Sequence, residues 1–526
     1  MKKWIAILLM LTMLLGSQSA LAFNAEGFPV MDEKTEFEII AFSNALNAPY
    51  NEMQLVQELE ELTNVHINWE EVATGYTERK NLVFAGGLQQ LPDAFFGRDC
   101  LTDSDVIRYS AQGFLIPLEE LIEKYCPNIK AMLEARPDMR SFLTAPDGHI
   151  YTLPQIEEQT YLEAGAHMFI NKTWLDKVGL DVPTTTEEFY QALKAFKEAG
   201  DLNGNGKDDE IPFSFRYDDY RQGIMCMFGA FGIPDDRRAA AQRFAIDEEG
   251  KNVVFVPALE SYRKGIEWFN KLYSEGLIDI EAFTQDASQY TAKGMSEDAV
   301  YGAFIGWNNF GIVGWDKSDN DYTYLLPLKG PDGYQYWTYN NQMWLRNAFA
   351  ITAACEQPEA LMRWVDQMFD PAASAEWIYG KNGLCIDIQE DVITWLPSPE
   401  GMNQQDWRYK QTPANGPAGL LSDMTAKMDR SAERGVVQRT ARTNEYREFL
   451  YMNYYPPVYL TEEQSMLVDM ISTDLYSYTD SMSAEWIVKG GVEEGWDAYI
   501  ANLYNMGLQD MIDIYQDAYN AYVSNK

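Results

Sequence analysis

Residues 37–96 read FEIIAFSNALNAPYNEMQLVQELEELTNVHINWEEVATGYTERKNLVFAGGLQQLPDAFF. Their hydrophobic pattern alternates between a strand period and a helix period. Phe37 to Phe42 is rich in β-formers and runs into a polar turn holding Ser43, Asn44, Asn47 and Pro49. Met53 to Leu62 is an amphipathic helix and Val65 to Trp69 a second strand. Thr77 to Phe84 is a second helix, stopped by Gly86-Gly87, and Pro92 to Phe96 is a third strand. Strand–helix–strand order with short loops predicts a parallel α/β layer. Such sheets bind ligands beyond the carboxyl ends of their strands. Here those ends are the turn at Asn44 and Asn47 and the run Gly97-Arg98-Asp99.

A second α/β unit opens after Asp147-Gly148. Met168 to Ile170 is a short strand ending at Asn171, and Thr184-Thr185-Thr186 caps a helix over Glu187 to Ala199. Tyr262 to Glu275 is a helix closed by Gly276, and Val300 to Ile305 returns as a strand. From Thr461 to Tyr522 the pattern is helical, broken at Gly490-Gly491 and Gly507. A chain of 526 residues is too long for one core. The expected division is a first lobe over 23–150 with a returning segment near 300–350, a second lobe over 151–299, and helical segments over 351–526 that complete the second lobe.

Asp+Glu number 80 against 41 Lys+Arg, a net charge of −39. A polyanion would be repelled, so nucleic acid is excluded as a partner. Only three His occur, His66, His149 and His167, which argues against a His-rich metalloenzyme. Lys2 and Lys3 precede an apolar run, Trp4 to Leu15, and the small-residue site Ala20-Leu21-Ala22. This is a secretory leader over 1–22, cleaved near Ala22, and no Cys for lipid attachment follows it. An extracytoplasmic protein is expected. The five Cys (Cys100, Cys126, Cys226, Cys355 and Cys385) show no metal-type spacing and read as buried small hydrophobes, with room for one unassigned bridge.

The sharpest motif is Asp201-Leu202-Asn203-Gly204-Asn205-Gly206-Lys207-Asp208-Asp209-Glu210. Asp201, Asn203 and Asn205 sit at alternate positions, Gly206 occupies the sharp turn, and Lys207 can offer its carbonyl. This suits Ca²⁺, which takes six to eight oxygens. Pro212 replaces the usual closing Glu, so Asp209 or Glu210 would close the shell. A polar surface turn is the competing reading.

No GxSxG, HExxH or P-loop sequence occurs. Adjacent acids such as Glu157-Glu158 read as solvated surface, and His149 as a turn residue. Arg430, Arg434, Arg439, Arg442 and Arg447 form a basic stretch that either pairs with neighbouring acids or meets an anionic partner. Aromatics are abundant at 13%. Sugar rings stack their C–H faces on Trp and Tyr, and their hydroxyls seek Asn, Asp and Arg. Trp307-Asn308-Asn309 follows a strand directly, and Tyr151 and Arg98-Asp99 are similarly placed. The ligand-binding candidates are therefore Asn44, Arg98, Asp99, Tyr151, Trp307 and Asn308. Trp315, Trp337 and Trp407 carry a weaker signal.

Several stretches carry a resemblance to a known family: GFLIPLEELIEKY (113–125), NKTWLDKVGLDVPTTTEEFYQALKAFK (171–197), DLNGNGKDDEIPF (201–213) and YSEGLIDIEAFTQD (273–286). The chain resembles the extracellular solute-binding proteins of ABC importers, most closely the carbohydrate-binding group that includes the alginate-oligosaccharide binders. The resemblance implies an α/β, two-lobed periplasmic-binding-protein-like fold with a hinge, a central cleft and a helical C-terminal segment. It implies calcium at Asp201, Asn203, Asn205, Lys207 (carbonyl), Asp209 and Glu210. It also implies a monomer that captures an oligosaccharide, catalyses nothing, and delivers its ligand to a membrane permease. The acidity gives no support for an anionic sugar, so the class carried over is oligosaccharide and not alginate. A secreted carbohydrate-active enzyme and a peptide- or sensor-linked binding protein are the alternatives.

Overall fold

The computed structural model describes residues 23–237, 242–340, 344–389, 392–429, 431 and 433–524. The leader over 1–22 and Arg430 lie outside them. The chain divides into two units, one built from residues up to 157 with 345–428, the other from 158–344 with 429–526.

The first unit holds a six-stranded sheet. Its order across the sheet is Ala418–Leu420, Leu153–Glu157, Trp344–Ile351, Ala94–Phe96, Thr35–Phe42 and Val65–Val72. Thr35–Phe42 pairs parallel with both Val65–Val72 and Ala94–Phe96, as the alternating pattern of 37–96 predicts. The intervening helices run Gln54–Thr63 and Tyr76–Ala85. Successive side chains point to opposite faces, and Ile39, Ile40, Ala94, Phe95 and Phe96 are all inside, so both faces of these strands are covered. The last strand starts at Ala94 and not at Pro92. Asp93 bonds Glu38 through backbone and side chain together: its amide donates to the Glu38 carbonyl (2.8 Å) and its carboxylate accepts from the Glu38 amide (2.7 Å).

The second unit is centred on a four-stranded sheet ordered Tyr322–Leu325, His167–Asn171, Tyr301–Gly306 and Ile211–Ser214. The helix Thr186–Ala199 begins with a capping box between Thr185 and Glu188. It buries Phe189, Leu193 and Phe196 on one stripe. Three C-terminal helices, Glu462–Lys489, Val492–Asn505 and Leu508–Ser524, complete the unit. They part where the sequence predicts, at Gly490 and Gly491, whose φ angles of 78° and 88° suit glycine.

The division differs from the expected one in where the chain returns. Tyr301–Gly306 stays with the second unit because it pairs with His167–Asn171 on one edge and Ile211–Ser214 on the other. The return to the first unit begins at Leu345, and residues up to 428 belong there. The reason is pairing: Trp344–Ile351 joins Ala94–Phe96, and Ala418–Leu420 joins Leu153–Glu157. All five Cys are free thiols. Among the described residues no helix is long and apolar enough to cross a membrane.

Candidate functional site

An open pocket of about 260 Å³ lies within the second unit. Its walls come from three places in the chain. Tyr161 belongs to the short turn Thr160–Leu162, and Trp307, Asn308, Phe310 and Trp315 follow the strand Tyr301–Gly306. Glu433, Gly435, Val436 and Arg439 lie at the start of the helix Arg434–Tyr446. The strand ends, and Asn308 and Asn309 turn the chain into the helix Phe310–Val313. Asn308 Oδ1 accepts from the Gly311 amide (2.7 Å), and Asn309 Oδ1 accepts from the Phe310 amide (3.1 Å). Asn308 therefore shapes the wall through its carbonyl oxygen.

The aromatic rings are held in place. Phe310 and Trp315 stack with centroids 4.0 Å apart and planes 6° apart. A Cβ at position 435 would lie 2.6 Å from Phe310 Cζ, so Gly435 makes room for this ring. Arg434 lies 4.4 Å from the Trp315 centroid and is paired with Asp319. Trp307 has the Arg439 guanidinium 3.4 Å from its centroid, with the exposed Arg221 at 5.0 Å. Arg439 is almost wholly buried. It donates to the carbonyls of Tyr161 (2.7 Å), Ala164 and Trp307, and its Nη1 lies 3.2 Å from His167 Nδ1. Burial, with Arg439 and Arg442 nearby, pushes the His167 pKa well below its ordinary value, so this imidazole is neutral and accepts at Nδ1. Apolar faces ringed by guanidinium, amide and carboxylate groups suit a ligand that is apolar on its faces and polar at its edges.

Of the other sequence candidates, Asn44, Arg98, Asp99, Tyr151 and Trp407 lie in the first unit and Trp337 in the second. Asn44 forms a local turn: its Oδ1 accepts from Leu46 N (2.9 Å) and its amide donates to Asn47 Oδ1 (2.8 Å). Arg98 and Asp99 are exposed in the turn after Ala94–Phe96, with Asp99 left-handed at φ 55°. Tyr151 is mostly buried and its hydroxyl donates to Asp147 (2.8 Å). Trp337 is core, donating to the Ala166 carbonyl, and Trp407 donates to the Leu384 carbonyl.

The loop 201–210 gathers oxygen groups, as its spacing predicts. Asp201 accepts from the amides of Gly204, Asn205 and Gly206 at 2.8–3.0 Å, which winds the turn. The amides of Asn203 and Asn205 reach Asp209 at 2.8 and 3.1 Å, and Asn205 also reaches Asp298 at 3.1 Å. Glu210 Oε1 accepts from Leu202 and Asn203, whereas its Oε2 is buried with no hydrogen-bond partner. A buried, unsatisfied carboxylate oxygen beside all-oxygen donors fits a hard cation. Among the described residues no group of three or more His, Cys, Asp or Glu is gathered to hold a metal. A cation here would therefore need the oxygens of Asn203, Asn205 and the Lys207 carbonyl as well.

Comparison with known proteins places this geometry. The family described as bacterial extracellular solute-binding protein matches residues 46–375. The fructooligosaccharide ABC transporter substrate-binding protein FusA of Streptococcus pneumoniae is 33% identical over 520 residues, covering 96% of this chain and 94% of FusA. The chain belongs to the bacterial extracellular solute-binding proteins. A solved structure of a FusA EF-hand mutant in complex with fructo-nystose superposes with a TM-score of 0.75 at 31% identity, covering 94% of this chain and all of that one. An extracellular solute-binding protein of Bifidobacterium longum subsp. infantis reaches a TM-score of 0.81 at 25% identity, covering 93% and 99%. The alginate-binding protein AlgQ2, at 24% identity and a TM-score of 0.65 over 94% of this chain and all of that one, shares the fold. The α/β fold expected from sequence is thereby shown, and the enzyme alternative is set aside.

In this solute-binding protein the basic stretch does three different things. Arg434 and Arg447 pair with the acids Asp319 and Glu163. Arg439 supports Trp307, and Arg442 packs 5.2 Å from the Phe169 ring centroid. Sequence reading singled out Trp307 and Asn308 but not Tyr161 or Phe310, which carry no local signal. The 439, 442, 443, 446 spacing could have marked an inward helix face.

Proposed function

We propose that this protein captures a short neutral oligosaccharide outside the cytoplasm and delivers it to the permease of an ABC importer. The observation that carries this reading is the pocket of stacked Phe310 and Trp315 beside Trp307, edged by Glu433, Arg439 and Asn308. Sugar C–H faces lie on the rings and hydroxyls meet the polar edge. Fructooligosaccharides are the first class to test, because the 33%-identical relative FusA is named for them. From the sequence reading we further propose Asn44, Arg98, Asp99 and Tyr151 as ligand contacts, a leader cleaved near Ala22, and a monomeric mature protein.

We also propose that the 201–210 loop holds Ca²⁺ through Asp201, Asn203, Asn205, the Lys207 carbonyl, Asp209 and Glu210. The ion would fix the chain between the helix Thr186–Ala199 and the strand Ile211–Ser214; it supplies rigidity and no chemistry. The orphaned Glu210 Oε2 supports this assignment.

Thermal-shift measurements on the mature protein, calcium-loaded, with kestose, nystose and glycans of other linkage and charge, test the function. A ligand that binds only the folded state raises Tm, adding about 2.7 kcal/mol at a hundredfold excess over Kd. A shift with one glycan class bears the reading out. A folded protein that responds to no glycan refutes it.

A further inference from the structure

Trp307 stands on a loop, between the strand Tyr301–Gly306 and the short helix Phe310–Val313. An indole on a loop ordinarily samples several rotamers, and ordering it on binding costs free energy. Here it is gripped twice by one side chain. The Arg439 guanidinium covers the ring at 3.4 Å, and its Nη1 donates to the carbonyl of the same residue. The rest of the fork reaches the carbonyls of Tyr161 and Ala164. Those two lie in the first stretch of the second unit after the chain leaves the first at 157/158. That stretch is laced further: Asn340 Nδ2 donates to the Leu162 carbonyl (2.7 Å), and Arg447 to Glu163 (2.7 Å) and Thr160 (3.0 Å).

We propose that Arg439 is a positioning residue for ligand capture: it presets the Trp307 ring as a platform and ties that platform to the 160–164 segment. The inference rests on the reading of Trp307 as a ligand contact. Only arginine meets the demands of the site. It needs a planar cation to lie on an indole and N–H groups diverging to three separate carbonyls. Lysine keeps the charge and can meet a ring face, as Lys271 does over Tyr190, but its single compact ammonium cannot cover the indole and reach three separate carbonyls at once. His167, neutral and buried, accepts from Nη1 (3.2 Å) and completes the seat of the guanidinium.

The test uses full-length mature protein labelled with 5-fluorotryptophan, with the Trp307 resonance assigned through Trp307→Phe. In Arg439→Lys the Trp307 fluorine line should shift and broaden while the other tryptophan lines hold. The Kd for whichever glycan the parent binds should rise at least tenfold. A purely structural role predicts the opposite pattern: a lower Tm, with the Trp307 line and the Kd unchanged below it. That result overturns the proposal. A parent that binds no glycan refutes the functional reading alone, and the fluorine line still decides whether Arg439 orders Trp307. Should Arg439→Lys not fold, the parent decides. Arginine-labelled protein must then show a slowly exchanging Nε–H with a nuclear Overhauser contact to the Trp307 ring, and a fast-exchanging guanidinium there overturns the proposal.

Discussion

Phe310 and Trp315 are stacked face to face, 4.0 Å between centroids, five residues apart across two short helices. Trp315 is 40% exposed, so the pair presents an aromatic surface to solvent and does not fill a core. Trp315→Ala should therefore raise the Kd for the bound glycan about tenfold, some 1.4 kcal/mol. The loss of folding stability should stay near 1 kcal/mol, the size of one aromatic pair. Calorimetric titration and a denaturant curve on the same variant measure both. An unchanged Kd would remove the pair from the binding surface.

Asp201 winds the 201–210 turn and Glu210 offers it a buried, unpaired oxygen. Calcium should raise the Tm of the parent, and chelator should lower it. Asp201→Ala and Glu210→Gln should each be less stable and indifferent to calcium. Asp298→Asn should lower the calcium affinity severalfold, since Asp298 meets Asn205 at 3.1 Å. Identical melting of the parent with calcium and with chelator would dismiss the metal.

Asp366 is fully buried in the first unit and accepts from the Ile129 amide (2.9 Å) and the Asn128 amide (3.3 Å) at the start of the helix Pro127–Ala135. Burial outweighs these bonds and pushes its pKa up to about 6. An acid with a raised folded pKa binds more protons folded than unfolded. Its contribution is thus most favourable below the unfolded pKa and is lost as pH rises from about 4 to about 6, by roughly 3 kcal/mol. Asp366→Asn should remove that slope. The Tm difference, variant minus parent, should be more positive at pH 7.5 than at pH 4.5. A difference independent of pH would show that Asp366 does not titrate in this window.

Arg442 is 5% exposed, with Nε and Nη2 lacking hydrogen-bond partners, against the Phe169 ring. Burial pulls its pKa below the usual guanidinium range, so its charge opposes folding at neutral pH. Arg442→Met keeps most of the volume and removes the charge. It should stabilise the protein by about 1–2 kcal/mol. A loss of stability in chemical denaturation would mean that the guanidinium is doing more than its packing suggests.

Legibility in the sequence followed the range of the interactions. The strand–helix–strand order of 37–96, the capped helix at 186, the three C-terminal helices and the oxygen-rich turn at 201–210 each depend on residues close together in the chain. Periodicity, caps and glycine positions report such contacts directly. Even the error over the return segment has this origin. Strand Tyr301–Gly306 is plain as a strand, but its partners, His167–Asn171 and Ile211–Ser214, lie some ninety residues and more away.

What the sequence by itself determined is the α/β class, most boundaries of the elements it named to within a residue or two (the strand read as Val65–Trp69 runs on to Val72), the loop with its calcium spacing, and Trp307 as a ring at a strand end. What only the tertiary structure decided is who meets that ring. Arg439 stands 132 positions beyond Trp307 and looks, in sequence, like its basic neighbours Arg434 and Arg447. Those two found carboxylates; Arg439 is turned inward by the helix Arg434–Tyr446 onto an indole and three carbonyls. A guanidinium carries the same charge and donors in each setting. Its role follows from which acceptors packing brings within reach, and that is a property of the folded chain alone.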